Sequence, residues 1–204
     1  MMNYRITSGY KAVKLVKDVE NISAIYNGKN LLVEAHPNNI VTLDEQGRSV
    51  ICIGEVMGRL SSHGEVTPIK SFSSFIEENI NQKTLFQIVN QLEGRFLLIL
   101  IESDEVTQIC ADKFSKLDIY IQKNVCGVTL SSDLSLLPEN PSKDGYDQNA
   151  LAHMLTYYGY CPPKKHTIYQ SVRRLGVGEV ATLDNGKITI KEQDFVAIKS
   201  TEYS

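Results

Sequence analysis

Short apolar runs separated by turn-forming residues mark the first half of the chain as strand-rich. Leu31–Ala35 and Ile40–Leu43 are two such runs. After them Asp44-Glu45-Gln46-Gly47 supplies the residues of a hairpin turn, and Val50-Ile51-Cys52-Ile53 resumes the strand. The period then changes: Leu85, Ile88, Val89 and Leu92 recur at helical spacing, which predicts an amphipathic helix from Thr84 to Leu92, ended by Gly94. Phe96-Leu97-Leu98-Ile99-Leu100-Ile101 is continuous rather than alternating, the pattern of a strand covered on both faces. Such a sheet needs a partner layer on each side. More strands are predicted near Gln108–Asp112, Ile119–Gln122 and Val125–Leu130, followed by a polar surface loop from Pro138 to Gly145. Asp147 is placed to cap a helix whose apolar positions Leu151, Met154, Leu155 and Tyr158 form one buried face, stopped by Gly159. Glu179–Leu183, Asp184-Asn185-Gly186-Lys187 and Ile188–Ile190 give the strongest local signal, because Asn-Gly tolerates the positive φ angles of a tight hairpin.

Composition narrows the class. The chain has 204 residues, 42% of them apolar and 22% charged, which fits one soluble domain spanning 1–204. A formal charge of −3 gives no electrostatic reason to bind nucleic acid or an anionic membrane. The basic cluster Lys164-Lys165-His166 follows Pro162-Pro163 and reads as a solvated loop. Cys52, Cys110, Cys126 and Cys161 are widely spaced, with no C-x-x-C pair, and read as buried free thiols. His36, His63, His153 and His166 are scattered without carboxylates at ligand spacing, so no metal site is expected. Glu77 and Glu78 read as a solvated helix face; helix packing explains Tyr158, and Tyr157 and Tyr160 read as a packed rim. Met1–Gly9 contains no apolar run behind a basic start and no stretch reaches the length of a membrane span, which gives a cytoplasmic expectation and makes the glycosylation motif at Asn21 a chance match.

From Leu92 onward, motifs accumulate in a recognisable order. Leu92-Glu93-Gly94-Arg95-Phe96 resembles the L-x-G-x-F segment of the asparagine synthetase family, in its N-terminal class II glutamine amidotransferase domain. Ala111-Asp112-Lys113-Phe114 resembles the family's R-D-x-x-G loop, with Ser115 in place of the glycine. Ile119-Tyr120 stands where P-L-Y-Y is usual, and Leu130-Ser131-Ser132-Asp133-Leu134-Ser135-Leu136-Leu137 resembles F-A-S-E-x-K-A-L. Ala150-Leu151 through Tyr158-Gly159-Tyr160-Cys161-Pro162 follow in order. Thr167-Ile168-Tyr169-Gln170-Ser171-Val172-Arg173-Arg174-Leu175 then resembles T-I-F-x-G-I-x-x-L, with Gly178 as the terminal glycine, so that 160–204 looks like the lead-in to a synthetase domain. Upstream, Ile53-Gly54-Glu55-Val56 is similar to the N-G-E-I-Y-N loop that holds glutamine, which makes Gly54 and Glu55 vestigial substrate-binding residues. Ile53 stands in the asparagine's place and cannot supply amide hydrogen bonds. The resemblance implies an α+β fold, the four-layer α/β/β/α sandwich of N-terminal nucleophile hydrolases, with two antiparallel sheets flanked by helices.

The family's chemistry uses an N-terminal cysteine whose own α-amino group is the base, with donors for the oxyanion. This chain begins Met1-Met2-Asn3-Tyr4, and a thioether has no proton to give up. Cys52 lies on an apolar strand, and cleavage before Thr7 or Ser8 has no local signal. The family's carboxylate-binding arginine has no counterpart in Pro37–Asp44, nor its amine-binding acid in Ser71–Glu78. A Gly-rich phosphate loop is also missing: Ser131-Ser132-Asp133 lacks the glycines, and Gly176-Val177-Gly178 is too short. No catalytic residue and no cofactor are therefore assigned to this chain, and ATP and Mg²⁺ are expected only in a partner synthetase. The expectation is a degenerate glutaminase-like domain, the structural or substrate-presenting partner of an ATP-dependent amide-forming synthetase. It resembles relatives that close rings, such as β-lactam synthetases and lasso peptide cyclases. An active amidotransferase supplying ammonia and a stand-alone small-molecule sensor are the alternatives, and homodimerisation is left open.

Overall fold

The computed structural model describes residues 3–9, 22–36, 40–45, 48–61, 64–103, 106–158 and 165–193, without the side chains of residues 40–45, 157 and 158. In chain order the strands are β1 (Tyr4–Ser8), β2 (Ser23–Asn27), β3 (Leu31–Ala35), β4 (Ile40–Glu45), β5 (Arg48–Leu60), β6 (Val66–Thr67), β7 (Leu92–Ile101), β8 (Val106–Ala111), β9 (Tyr120–Asn124), β10 (Gly127–Ser131), β11 (Val172–Arg174), β12 (Glu179–Asp184) and β13 (Lys187–Glu192). Among the described residues three α-helices accompany them: α1 (Phe72–Ile80), α2 (Leu85–Val89) and α3 (Gln148–His153). One sheet has the order β11-β9-β10-β1-β3-β2, and the other β13-β12-β8-β7-β5-β4 with β6 paired to β5. Every pairing is antiparallel.

The alternation of side chains along a strand sorts the sequence into layers. Tyr4, Ile6, Val33, Ile121 and Leu130 of the first sheet meet Ile51, Ile53, Leu97, Ile99, Ile109 and Leu183 of the second in one core. On the other face of the second sheet Cys52, Phe96, Leu98, Leu100 and Cys110 pack under Phe75, Ile76 and Ile80 of α1 and Leu85, Ile88 and Val89 of α2. The continuous run of β7 is thus explained: its odd-numbered residues face the partner sheet and its even-numbered ones the helices. The predicted α+β arrangement of two face-to-face antiparallel sheets with helices outside is the one found.

The predicted elements hold at Leu31–Ala35, for the paired strands of the 40–53 hairpin, near 108–112 and 119–122, and at the Asn185-Gly186 hairpin, whose turn residues have φ 46° and 78°; the strand predicted over 125–130 starts at Gly127, with Val125 and Cys126 in the turn before it. Two helices differ. The helix predicted to Leu92 ends at Val89, and Gly94 lies inside β7, where a Cβ would stand 2.3 Å from Glu55 O. Close approach of β5, rather than helix termination, requires this glycine. Asp147 caps α3 as predicted, accepting from Asn149 N and Ala150 N at 2.9 and 3.0 Å. After His153, however, the helix widens into a π-helical turn, Met154–Tyr158, and Leu155 is 78% exposed rather than buried. Leu151 and Met154 are half-buried, and the buried residue of α3 is Ala150. The loop after Pro138 contains a 3₁₀ turn, Pro141–Asp144. Asn21, Pro37–Asn39, Gln46-Gly47, His63 and Gly159–Lys164, with Cys161, lie outside the described residues.

Candidate functional site

The first strand starts at one end of the sandwich, and its backbone is held there from both sides. Tyr4 N donates to Ser132 Oγ at 3.0 Å, Ser132 N donates to Tyr4 O at 3.1 Å, and His36 N donates to Asn3 O at 3.0 Å. The Tyr4 ring is fully buried, and its hydroxyl donates to Asp118 O at 2.7 Å. Burial, reinforced by Asp118 and Tyr120, pushes this phenol well above its usual range, so it remains a neutral donor.

Beside this start lies a cleft of about 240 Å³ lined by Arg95, Leu117, Asp118, Tyr120, Ser132, Asp133 and Leu134. Arg95 comes from β7 of the helix-covered sheet, and the other residues from the segments flanking β9 and β10 of the opposite sheet. The 112–118 loop is shaped by Asp112, whose carboxylate accepts from Phe114 N at 3.1 Å and Lys116 N at 3.0 Å. Ser115, in the place of a glycine, adopts a left-handed φ of 47°, and its hydroxyl donates to Gly176 O at 3.2 Å. The backbone keeps the conformation a glycine would favour, and the buried hydroxyl is satisfied. Asp118 is paired with Arg174 at 3.3 Å. Asp133 caps the 3₁₀ turn Leu134–Leu136 by accepting from Ser135 N at 2.8 Å. The Tyr120 phenol is pushed upward by partial burial and by Asp118 and Asp133, against the downward pull of Arg174.

The two residues singled out in the sequence sit on β5, at the same end. Gly54 has φ 111° and pairs with Phe96; a Cβ here would lie 2.3 Å from Arg95 O. Its requirement is conformational. Glu55 is exposed and directly opposite Arg95. Ile53 is 3% exposed and belongs to the core between the sheets. Arg95, Tyr120, Ser132, Asp133 and Leu134 fall within the quoted motifs, and Leu117 and Asp118 just before one of them, yet sequence reasoning gave Arg95, Asp118, Tyr120, Ser132 and Asp133 no role. The one available signal was a charge at the inward-facing position just before the apolar run of β7.

Sulphur is placed elsewhere. Cys52 and Cys110 are buried under the helices, where desolvation pushes each thiol up to about 12. Cys126 lies in the turn between β9 and β10. Ser71 caps α1, whose first turn carries no acidic residue. His36 engages the site through its backbone, whereas His153 and His166 are exposed. Among the described residues no group of three or more His, Cys, Asp or Glu could hold a metal ion.

A second polar centre joins the two sheets at their β11–β12 connection. Glu179 accepts from Gly176 N and Arg173 Nη2, both at 2.7 Å, and pairs with Lys165 at 3.3 Å. Residues 172–192, in the segment resembling a synthetase lead-in, thus supply β11 to one sheet and β12 and β13 to the other.

The family described as "glutamine amidotransferase domain" matches residues 79–195, more than half of the chain. The chain belongs to this family. Two solved structures are similar to this amidotransferase domain. One is glutamine phosphoribosylpyrophosphate amidotransferase from B. subtilis, complexed with ADP and GMP, with 9% identity and a TM-score of 0.49. The other is described as the allosteric regulatory enzyme of purine biosynthesis, with 7% identity and a TM-score of 0.50, a likeness of fold alone. Each alignment covers 94% of this chain and 49% of the other, so the domain spans about half the length of these proteins. No curated protein matches significantly. No helix among the described residues is long and apolar enough to cross a membrane.

Proposed function

We propose that this amidotransferase domain is catalytically degenerate and serves as the structural or substrate-presenting partner of an ATP-dependent, amide-forming synthetase related to asparagine synthetases. The observation that carries the reading is the distribution of nucleophiles. Among the described residues the cleft beside the first strand is lined by hydroxyls, carboxylates, a guanidinium and two leucines, without a thiol. Cys52 and Cys110 lie on the opposite face of the helix-covered sheet, where a thiolate is suppressed. Cleavage before Thr7 or Ser8 does not offer a substitute nucleophile. It would remove Tyr4, Arg5 and Ile6 from a strand paired on both sides, and with them the buried Arg5–Glu34 ion pair at 2.7 Å.

The resemblance to ring-closing members of the asparagine synthetase family supports the choice of partner, which would hold the ATP and Mg²⁺. The decisive experiment incubates pure protein with glutamine and measures glutamate. No turnover is expected. Sustained turnover abolished by Cys52→Ala would overturn the assignment in favour of an active amidotransferase. A stable complex with a synthetase-like protein, forming amide without glutamine, is the positive counterpart.

A further inference from the structure

The loop that supplies Leu117 and Asp118 to the cleft also presents an aromatic ring to solvent. Phe114 is 58% exposed. Lys113 and Lys116 stand over its ring, their Nζ atoms 5.1 and 5.5 Å from the centroid, and both pair with Glu93, at 2.8 and 3.1 Å. Gly58 is the register partner of Glu93, and the space a Cβ would take there is filled by Val66, 47% exposed. Met57, 66% exposed, is the extra residue of the β5 bulge beside it. Exposed apolar side chains of this size, grouped at one end of a domain, mark an interaction surface. The ring is also pre-ordered: Asp112 and Ser115 lock the turn on which it sits, so docking it costs little conformational entropy.

Knob and hole lie side by side. Leu117 is three residues after Phe114, a separation of at most about 11 Å along the chain. Leu117, Tyr120 and Leu134 give the cleft an apolar wall. At about 240 Å³ it is smaller than the roughly 300–1,000 Å³ typical of small-molecule sites, a size for one side chain. The charges divide in the same way. Around the ring Lys113 and Lys116 exceed Glu93 by one positive charge. Around the cleft Glu55, Asp118 and Asp133 exceed Arg95 and Arg174 by one negative charge. A patch without net charge, basic at its knob and acidic at its hole, is complementary to a copy of itself.

We infer that two copies of the domain pair about a two-fold axis through this face, each seating Phe114 in the other's cleft with Lys113 facing Asp133 across the interface. An aromatic anchor buries roughly 150–250 Å². Two such anchors make a contact at the small end of interfaces, below roughly 1,200 Å² in total, so the dimer exchanges with monomer as concentration changes. The inference does not depend on the degenerate role, which glutamine turnover tests separately.

Sedimentation equilibrium of the full chain across the micromolar range is the test. The average mass is expected to rise from monomer towards dimer. Phe114→Ser, a change at an exposed side chain, is expected to weaken dimerisation at least tenfold, about 1.4 kcal/mol. Lys113→Glu and Asp133→Lys each place like charges across the interface and are expected to be monomeric alone. Mixed in equal amounts they are expected to form a heterodimer, because each reversed charge then meets its opposite. A chain that stays monomeric at every concentration, a Phe114→Ser dimer of wild-type affinity, or a mixture of the two folded charge variants that stays monomeric overturns the inference. Asp133→Lys loses the cap on Leu134–Leu136, and where it fails to fold Phe114→Ser decides the question by itself.

Discussion

At the scale of single residues, two positions translate geometry into measurable stability. Gly54 combines φ 111° with a Cβ position 2.3 Å from the Arg95 carbonyl oxygen, so any side chain there meets both strain and backbone collision. Gly54→Ala is expected to cost roughly 2–5 kcal/mol in chemical denaturation, the sum of a strained dihedral and overpacking. Loss of under about 0.5 kcal/mol, the range of ordinary surface changes, would contradict the close strand approach. Glu179 gives a pH signature. Burial by itself would raise its pKa, but hydrogen bonds from Gly176 N and Arg173, with Lys165 adding to them, hold the carboxyl below its usual value. A folded-state pKa below the unfolded one means stability that is full above about pH 4.3 and lost as pH falls through the folded value. The Tm gap between wild type and Glu179→Gln is therefore expected to shrink between pH 6 and pH 3; a constant gap would show that the ion pairs are not coupled to folding.

At the scale of elements, α2 is too short to be stable by itself and depends on its ends and its contacts. Thr84 and Gln87 form a reciprocal capping box, with Gln87 N donating to Thr84 Oγ1 at 3.3 Å and Thr84 N to Gln87 Oε1 at 3.0 Å. Thr84→Ala is expected to lower stability by about 0.5–2 kcal/mol. Because the two side chains act together, the loss from Thr84→Ala/Gln87→Ala is expected to fall short of the two single losses added. Additivity in a double-mutant cycle would rule the box out. The elements also differ in how openly the chain declares them. Asn185-Gly186 states its hairpin locally, through residues that accept positive φ. In contrast β1, β2 and β11 gave no usable signal. Tyr4-Arg5-Ile6-Thr7-Ser8 alternates correctly, yet all five residues are buried, Arg5 and Glu34 by pairing across strands that are distant in sequence.

At the scale of the whole molecule, β7 belongs to both cores: Leu98 packs under the helices and Ile99 against the partner sheet. Leu98→Ala and Ile99→Ala are each expected to cost about 2–5 kcal/mol and to leave unfolding a single transition by circular dichroism and tyrosine fluorescence. Two separated transitions would mean that the layers fold independently. Patterning along the chain was enough to determine that β7 is covered on both faces, which follows from period, a local property. The α+β fold was legible through the resemblance of its ordered motifs rather than through patterning. The cleft was decided only in three dimensions, where strand register sets Arg95 of one sheet across from Asp118, Tyr120 and Asp133 of the other. The same folding buries Cys52 and Cys110 away from it. Register and sheet stacking join residues far apart in sequence, and no local pattern encodes which of them will meet.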